Sequence, residues 1–227
     1  MFFFVFKDSY IAIIGDIKKS KKLNNRNVVQ NVFKKVLNNI NEKYSKDISS
    51  KFMITLGDEF QGLLHDGSNV MNIIEEIQRE LYPVEIRFGI GVGQITTDIN
   101  FDMAIGADGP GYYKAREAIE FLKENERKNK THASDIRIEI DGDNVETDTM
   151  INTILSLLAV VKYSWTDRQR EIIWDMMKHQ DSQVKSAERL NVAQSSIQRG
   201  LINGNYYAYK DAMDTIVMVL KEIKKDV

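Results

Sequence analysis

The chain has 227 residues, is 43% apolar, carries a formal net charge of −2 and contains no cysteine. This is enough for one large or two small globular domains of ordinary composition. The charge excludes a global basic field for gathering nucleic acid. The absence of thiols excludes disulfides, Cys-ligated zinc and thiol catalysis, and fits a reducing compartment.

Met1 to Phe6 is apolar but lacks a basic leader, and Lys7 and Asp8 break it before it could form a signal core. No apolar run approaches the ~18 residues that suggest a membrane span. The expectation is a cytoplasmic chain with no membrane partner.

Residues 1–16 read as one strand after a short lead-in, with Tyr10 to Asp16 buried and ending in an acid. Lys18, Lys19, Ser20, Lys21 and Lys22 follow as a basic loop. It is either a solvated loop or, beside Asp16, a phosphate contact. Residues 27–44 have helical spacing, with Val28, Val29, Val32, Phe33, Val36, Leu37 and Ile40 on one face. Residues 51–64 read as a hairpin whose tip is Gly57-Asp58-Glu59. Ser68 is the expected N-cap of a helix running to Leu81 and ended by Pro83.

Residues 84–95 alternate sharply. Val84, Ile86, Phe88, Ile90 and Val92 form a core face, while Gly89, Gly91 and Gly93 leave the other face bare. Bare backbone invites close approach by a chain segment, a partner subunit or a ligand. A turn-rich loop, Ile105 to Gly111, then leads into a helix from Tyr112 to about Asn129, with Ala115, Ala118, Ile119 and Leu122 inward. Gly109 and Gly111 at its start could hold phosphate through backbone N–H groups, though the spacing is not that of a Walker or dinucleotide-binding loop. Ile136 to Ile140 reads as an edge strand.

The order strand, helix, hairpin, helix, strand predicts a split βαβ unit. The hairpin's second strand then lies between the first two strands, antiparallel to both. Asp16 thereby meets Asp58 and Glu59, a carboxylate cluster suited to Mg²⁺ or Mn²⁺.

Residues 141–149 are acidic and turn-rich and mark a boundary, giving domains at 1–145 and 146–227. Met150 to Tyr163 is an apolar helix that packs on its own domain or on a dimer partner. Thr166 and Gln169 fit a capping box opening a helix over 167–177. Residues 182–190 and 194–201 are short helices joined by Asn191-Val192-Ala193, with Ala187, Leu190, Val192, Ile197 and Leu201 as an inner seam. This is helix-turn-helix spacing, also met in helical hairpins without a DNA role. The second helix points Gln194, Ser195, Ser196, Gln198 and Arg199 outward, residue types that read base edges or phosphates. Tyr206 to about Lys225 is a last helix, for packing or dimerisation.

Three blocks carry a family resemblance: Ile13-Ile-Gly-Asp-Ile17, Ile54-Thr-Leu-Gly-Asp-Glu-Phe60 and Ile86-Arg-Phe-Gly-Ile-Gly-Val-Gly93. Together they resemble the palm-type core of class III nucleotidyl cyclases and are similar to diguanylate cyclases. The resemblance implies metal ligation by Asp16, by the Ile17 carbonyl, and by Asp58 or Glu59, with catalysis in a dimer. The whole chain, including Gly106 to Glu117, resembles the SatD family, which is linked to acid tolerance.

There are departures. The cyclase transition-state Asn and Arg positions fall on Tyr113 and Glu117, leaving Arg87, Lys114 and Arg116 as candidate catalytic cations. Leu56 stands where diguanylate cyclases carry a glycine and would crowd a second nucleotide.

The expectation is therefore an α+β chain: a ferredoxin-like (βαββαβ) palm domain of the nucleotide-cyclase type followed by an all-α helix-turn-helix domain. Functionally it reads as a homodimeric, DNA-binding regulator, in acid or stress response, whose degenerate palm binds Mg²⁺ or Mn²⁺ and a nucleotide through Lys18, Lys19, Gly109 and Gly111. The alternative is an active metal-dependent nucleotidyl cyclase with the tail as an interaction module.

Overall fold

The computed structural model describes residues 9–20, 26–128 and 134–223, with the backbone alone at positions 26, 27 and 56. The apolar lead-in at 1–6, Lys21, Lys22, the helix ends expected at 129 and 225, and the Leu56 side chain lie outside the described residues.

Strand β1 (Tyr10–Ile17) is buried along nearly its whole length. It reads as a continuous apolar run because helices cover both faces of the sheet. β2 (Ile48–Leu56) and β3 (Glu59–Leu64) form the hairpin, and β4 (Ile86–Gly93) and β5 (Ile136–Ile140) complete a five-stranded sheet in the order β2-β3-β1-β4-β5. β3 lies between β1 and β2, antiparallel to both, with Glu59 opposite Asp16. β4 is antiparallel to β1, and β5 is parallel to β4 at the edge.

Helices α1 (Arg26–Lys43) and α2 (Val70–Leu81) share one face of the sheet with Ile11, Ile13 and Ile17. Phe60 sits at the centre of this layer. Its ring meets Phe33 edge-on at 5.0 Å and Phe88 at 5.9 Å. The ring also crosses Gly15, where a Cβ would stand 1.9 Å from it, so β1 must lack a side chain there.

Three local expectations need correction. Val28 and Val32 are exposed, because α1 reaches the core only from Phe33 onward. Ser68 does not cap α2. It lies inside a 3-10 turn, Gly67–Asn69, and gives its amide to the Asp66 carboxylate at 2.7 Å. Val84 is not in β4, because its amide closes a turn onto the Leu81 carbonyl after Pro83.

Helix α3 (Pro110–Lys128) fills the bare glycine face of β4. A Cβ on Gly91 would stand 2.0 Å from the Gly111 carbonyl oxygen and 2.3 Å from the Ala115 nitrogen, and one on Gly89 would stand 2.3 Å from the Ala115 oxygen. The approach is backbone to backbone, with Gly111, Ala115 and Ala118 supplying the matching small surface of the helix. Pro110 suits the first helical position because its missing N–H has no partner there. The crossover through α3 returns the chain to make β5 parallel to β4.

The remaining helices are α4 (Val145–Tyr163), α5 (Asp167–His179), α6 (Gln183–Arg189), α7 (Gln194–Asn203) and α8 (Tyr206–Leu220). α4 covers the open edge of β5. The Asn152 amide donates to the Ile138 carbonyl at 2.7 Å and accepts from the Ile138 N–H at 2.9 Å, and Asp148 accepts from Ile140 N–H at 3.2 Å. These bonds replace a missing neighbour strand and blunt an edge open to foreign pairing. α4 thus packs on its own sheet edge, while Met150, Leu157 and Val160 on its other side remain exposed. The Thr166–Gln169 capping box is present. At the other end of the tail, Gly67 N–H bonds to the Ile223 carbonyl, and the Leu220 carbonyl lies against Gly67. One apolar core therefore runs from the sheet through α4, α5, α7 and α8, across the compositional break at 141–149. No helix among the described residues is long and apolar enough to cross a membrane.

Replacing Gly91 with Ala should force α3 away from β4 and lower stability by about 1–3 kcal/mol, because the clash is with backbone that cannot rotate aside. Urea denaturation checks it, and an unchanged midpoint would refute the close approach.

Two carboxyls predict a pH dependence. Burial pushes Asp148 up to about 6 and pushes Glu75, which accepts from Tyr209 Oη at 3.3 Å, up to about 7. A carboxyl raised in the folded state holds its proton more tightly there. Its contribution is full below the unfolded value near 4 and is lost as pH rises through the folded value. Melting temperature should therefore fall between about pH 5 and pH 8, and Glu75→Gln with Asp148→Asn should flatten that slope. A slope untouched by both substitutions would refute the assignment.

Candidate functional site

Asp16 ends β1 on the α3 side of the sheet. Across the strands it stands directly between Glu59 of β3 and Arg87 of β4, a single charged row. The row forms because antiparallel register aligns the end of β1 with the start of β3 and the start of β4. Asp16 and Glu59 therefore come together as their sequence positions suggest. Asp58 occupies the turn, where its carbonyl accepts from Ile17 N–H at 3.0 Å and its carboxylate accepts from Ser20 Oγ. Glu59 accepts from Thr55 Oγ1 at 3.4 Å.

The charge balance of the row is set by α3. Arg87 donates to Asp16 Oδ2, and Lys123 Nζ lies 3.1 Å from Asp16 Oδ1. Arg87 Nε also donates to Glu126 at 2.8 Å. Both oxygens of the largely buried Asp16 carboxylate are thus engaged by the protein's own cations. Among the described residues no group of three or more His, Asp or Glu is arranged to hold a metal ion. This donor set fits an internal ion-pair chain, Lys123–Asp16–Arg87–Glu126, and does not fit a resident dication. Sequence reading missed Lys123 and Glu126. They lie four residues beyond Ile119 and Leu122, so the buried stripe of α3 simply continues into charge.

The expected phosphate contacts do not assemble. Lys18 turns its buried ammonium to Asp135, whose carboxylate also accepts from Tyr163 Oη at 2.8 Å. Lys19 is exposed. Gly111 N–H already donates to the Gln94 carbonyl at 3.1 Å, and Gly109 packs against the backbone of residues 94–96. The glycine loop also stands at the wrong end of the sheet. Gly111 lies beside Gly93, which pairs with Tyr10, six residues and so ~20 Å along β1 from Asp16. Lys114 and Arg116 share that far end. Lys114 pairs with Glu117 at 2.9 Å, which raises its pKa, and Arg116 is exposed. Of the three catalytic candidates only Arg87 reaches Asp16, and it does so as an ion-pair partner.

A second locus lies on the tail. Ser182 caps α6, accepting from Lys185 N–H at 3.3 Å. The connection to α7 turns on Asn191 at φ 51°, a left-handed conformation that Asn tolerates, and on Val192 N–H bonding to the Ala187 carbonyl at 3.0 Å. Ala187, Ile197 and Leu201 are buried, with Leu190 and Val192 packed against them. Arg189 ties α6 to α5 through Asp175 and also bonds Asp181. Against its partial burial, the bond from Arg189 holds the Asp175 carboxyl below its usual range. Gln194, Ser195, Ser196, Gln198 and Arg199 are all exposed on α7, and Gln194 Nε2 donates to Gln183 Oε1 at 2.6 Å, tying the first turns of α6 and α7 together.

A family model, the SatD family, matches residues 10–215. The chain belongs to the SatD family. Its match spans the sheet and the tail together, in keeping with their shared core. No curated protein matches the sequence. Among solved structures, the crystal structure of the guanylyl cyclase Cya2 is similar at 14% identity and a TM-score of 0.39, over 57% of this chain and 74% of that one.

Asp16→Asn should leave Lys123 without its countercharge and Arg87 with Glu126 alone. The expected loss is about 1–3 kcal/mol, less than for a fully orphaned buried charge, and equal with and without Mg²⁺ or Mn²⁺. A loss seen only in metal-containing buffer would restore the metal reading.

Proposed function

We propose that this SatD-family chain is a DNA-binding regulatory protein. In this reading the tail is a helix-turn-helix, with α6 crossing the backbone and the first turns of α7 entering the major groove. The observation that carries it is the chemistry of the α7 surface. From Arg189 to Lys210 the sequence contains no Asp or Glu, whereas the chain has 33 acids in 227 residues and would place about three in such a stretch. A polyanion can therefore approach α7 itself without meeting a carboxylate on that helix, the nearest acid in sequence being Glu188 of α6, although the chain as a whole is slightly acidic. The side chains presented there, two Gln, two Ser and one Arg, can donate to phosphates and base edges.

In the same reading the sheet and its helices are a ferredoxin-like palm extended by β5. Its acid row is closed by Arg87 and Lys123, so it acts as a platform for the tail rather than as a metal centre. A homodimer would present two copies of α7 to half-sites about 34 Å apart. A second reading, metal-dependent nucleotidyl chemistry, is favoured only by the pairing of Asp16 with Glu59. It needs Lys123 and Arg87 to release Asp16 first.

The test is selection of bound fragments from a random DNA pool, followed by fluorescence anisotropy across a salt series. Arg199→Ala should weaken binding about tenfold or more with an unchanged melting temperature. Affinity that does not fall, or a full-length protein that retains no DNA, would sink the recognition-helix assignment.

A further inference from the structure

Where α4 and α5 meet the α2–β4 connection, two half-buried cations, Arg170 and Lys162, form no direct ion pair among the described residues. Arg170 of α5 lies among three aromatic rings, with its guanidinium carbon 5.1 Å from the Tyr82 centroid, 5.4 Å from Trp174 and 5.8 Å from Trp165. Its Nε is buried with no hydrogen-bond partner, and its one described hydrogen bond is a long one, from an NH₂ group to the Lys162 carbonyl at 3.4 Å. Lys162 of α4 donates to Gln78 Oε1. Both cations line a cavity of about 240 Å³, whose walls include Tyr82, Trp174 and Tyr163 and two acids, the exposed Glu85 and Asp135, whose carboxylate is already held by Lys18 and Tyr163.

Aromatic faces offset part of the cost of burying a guanidinium, on the order of 1–2 kcal/mol. They do not supply the in-plane acceptors that its N–H groups need, and an unpartnered buried donor costs more than that gain leaves over. Lys162 points the same way. Burial pushes its ammonium down from the usual range, against the attraction of Asp135 and Glu75, so an added anion would stabilise its charged form. The cavity is also a joint. Tyr82 belongs to the α/β unit, yet its hydroxyl donates to Asp167 at the start of α5 at 3.0 Å and its ring packs edge-on against Trp174 at 5.3 Å.

We propose that this cavity binds a small oxyanion carrying a flat ring. The carboxylate or phosphate sits on Arg170 and Lys162 and the ring lies against Trp174 and Tyr82. A guanidinium offers paired N–H donors that match either oxyanion, and the aromatic wall favours a planar group. An occupant touches both the α/β unit and the tail, so it fixes the position of one against the other. The site is independent of the DNA-binding reading and lies apart from the Asp16 row.

The two tryptophans of the chain both stand beside Arg170, Trp174 on the cavity wall and Trp165 behind it, so tryptophan fluorescence excited at the red edge reports on this site. Full-length protein is titrated with benzoate, a nucleoside monophosphate and inorganic phosphate. A saturable change is expected with at least one ring-bearing probe, at least about tenfold tighter than with inorganic phosphate. Which of the two ring-bearing probes binds tells carboxylate from phosphate. Arg170→Gln should weaken that binding about tenfold or more, and Asp16→Asn should leave it unchanged. If Arg170→Gln does not fold, Tyr82→Ser on the half-exposed wall serves instead, with the same expected loss. No saturable change with any probe up to about 10 mM, equal binding of inorganic phosphate, or binding unaffected by both wall substitutions would overturn the proposal.

Discussion

Backbone contact between α3 and β4 is the constraint on which the rest of the molecule depends. Gly89, Gly91 and Gly93 strip one face of the strand, and Gly111 and Ala115 strip the facing side of the helix. With no side chains between them the two backbones touch. That contact lays the C-terminal half of α3 over the end of β1, bringing Lys123 and Glu126 onto Asp16 and Arg87. It also fixes the crossover that makes β5 parallel to β4, and β5 is the edge on which α4 is seated. The tail then follows from α4.

The same constraint decides the chemistry at the end of the sheet. Two acids side by side in a sparse polar row are suited to a dication when nothing else neutralises them. Here a guanidinium from the neighbouring strand and an ammonium from the covering helix neutralise Asp16 in place. A buried carboxylate, once paired at both oxygens, is a structural element, and a metal would have to displace two cations to use it. The glycine-rich loop contributes nothing to this row, because it enters α3 at the opposite end and spends the Gly111 N–H on Gln94.

The tail is held to the α/β unit at two kinds of contact. One is apolar: Leu220 and Ile223 close over the Gly67 turn and extend the sheet's core. The other is polar: Glu75, Tyr209, Lys162 and Arg170 gather at the joint, most of them shifted by burial. The contrast matters for what each end of the tail can do. α7 carries Gln194, Ser195, Ser196, Gln198 and Arg199 outward into solvent, whereas α4, α5 and α8, besides their exposed polar residues, each turn one polar side chain to the joint: Lys162, Arg170 and Tyr209. Anchoring to the sheet unit is thus the work of α4, α5 and α8, while α7 keeps a polar face in solvent.

The sequence by itself determined what depends on local periodicity and on chain connectivity. It placed β1, the hairpin, α1, α2, α3 and the inner seam of α6 and α7. The right-handed crossover logic also put Glu59 beside Asp16. It could not see what fills an empty face. The bare glycines of β4 are compatible with a loop, a ligand or a helix, and only the tertiary structure shows α3 there. Nor could it see partners brought in from far along the chain. Lys123 neutralises Asp16, and Glu126 holds Arg87 beside it, both from more than a hundred residues beyond Asp16. Lys18 is drawn away to Asp135, and Arg170 and Lys162 meet Tyr82 only because the tail folds back. Periodicity reports which side of an element is buried. What it is buried against, and so whether a charge is a ligand, an ion-pair partner or an unpaired cation in a cavity, is settled by long-range packing alone.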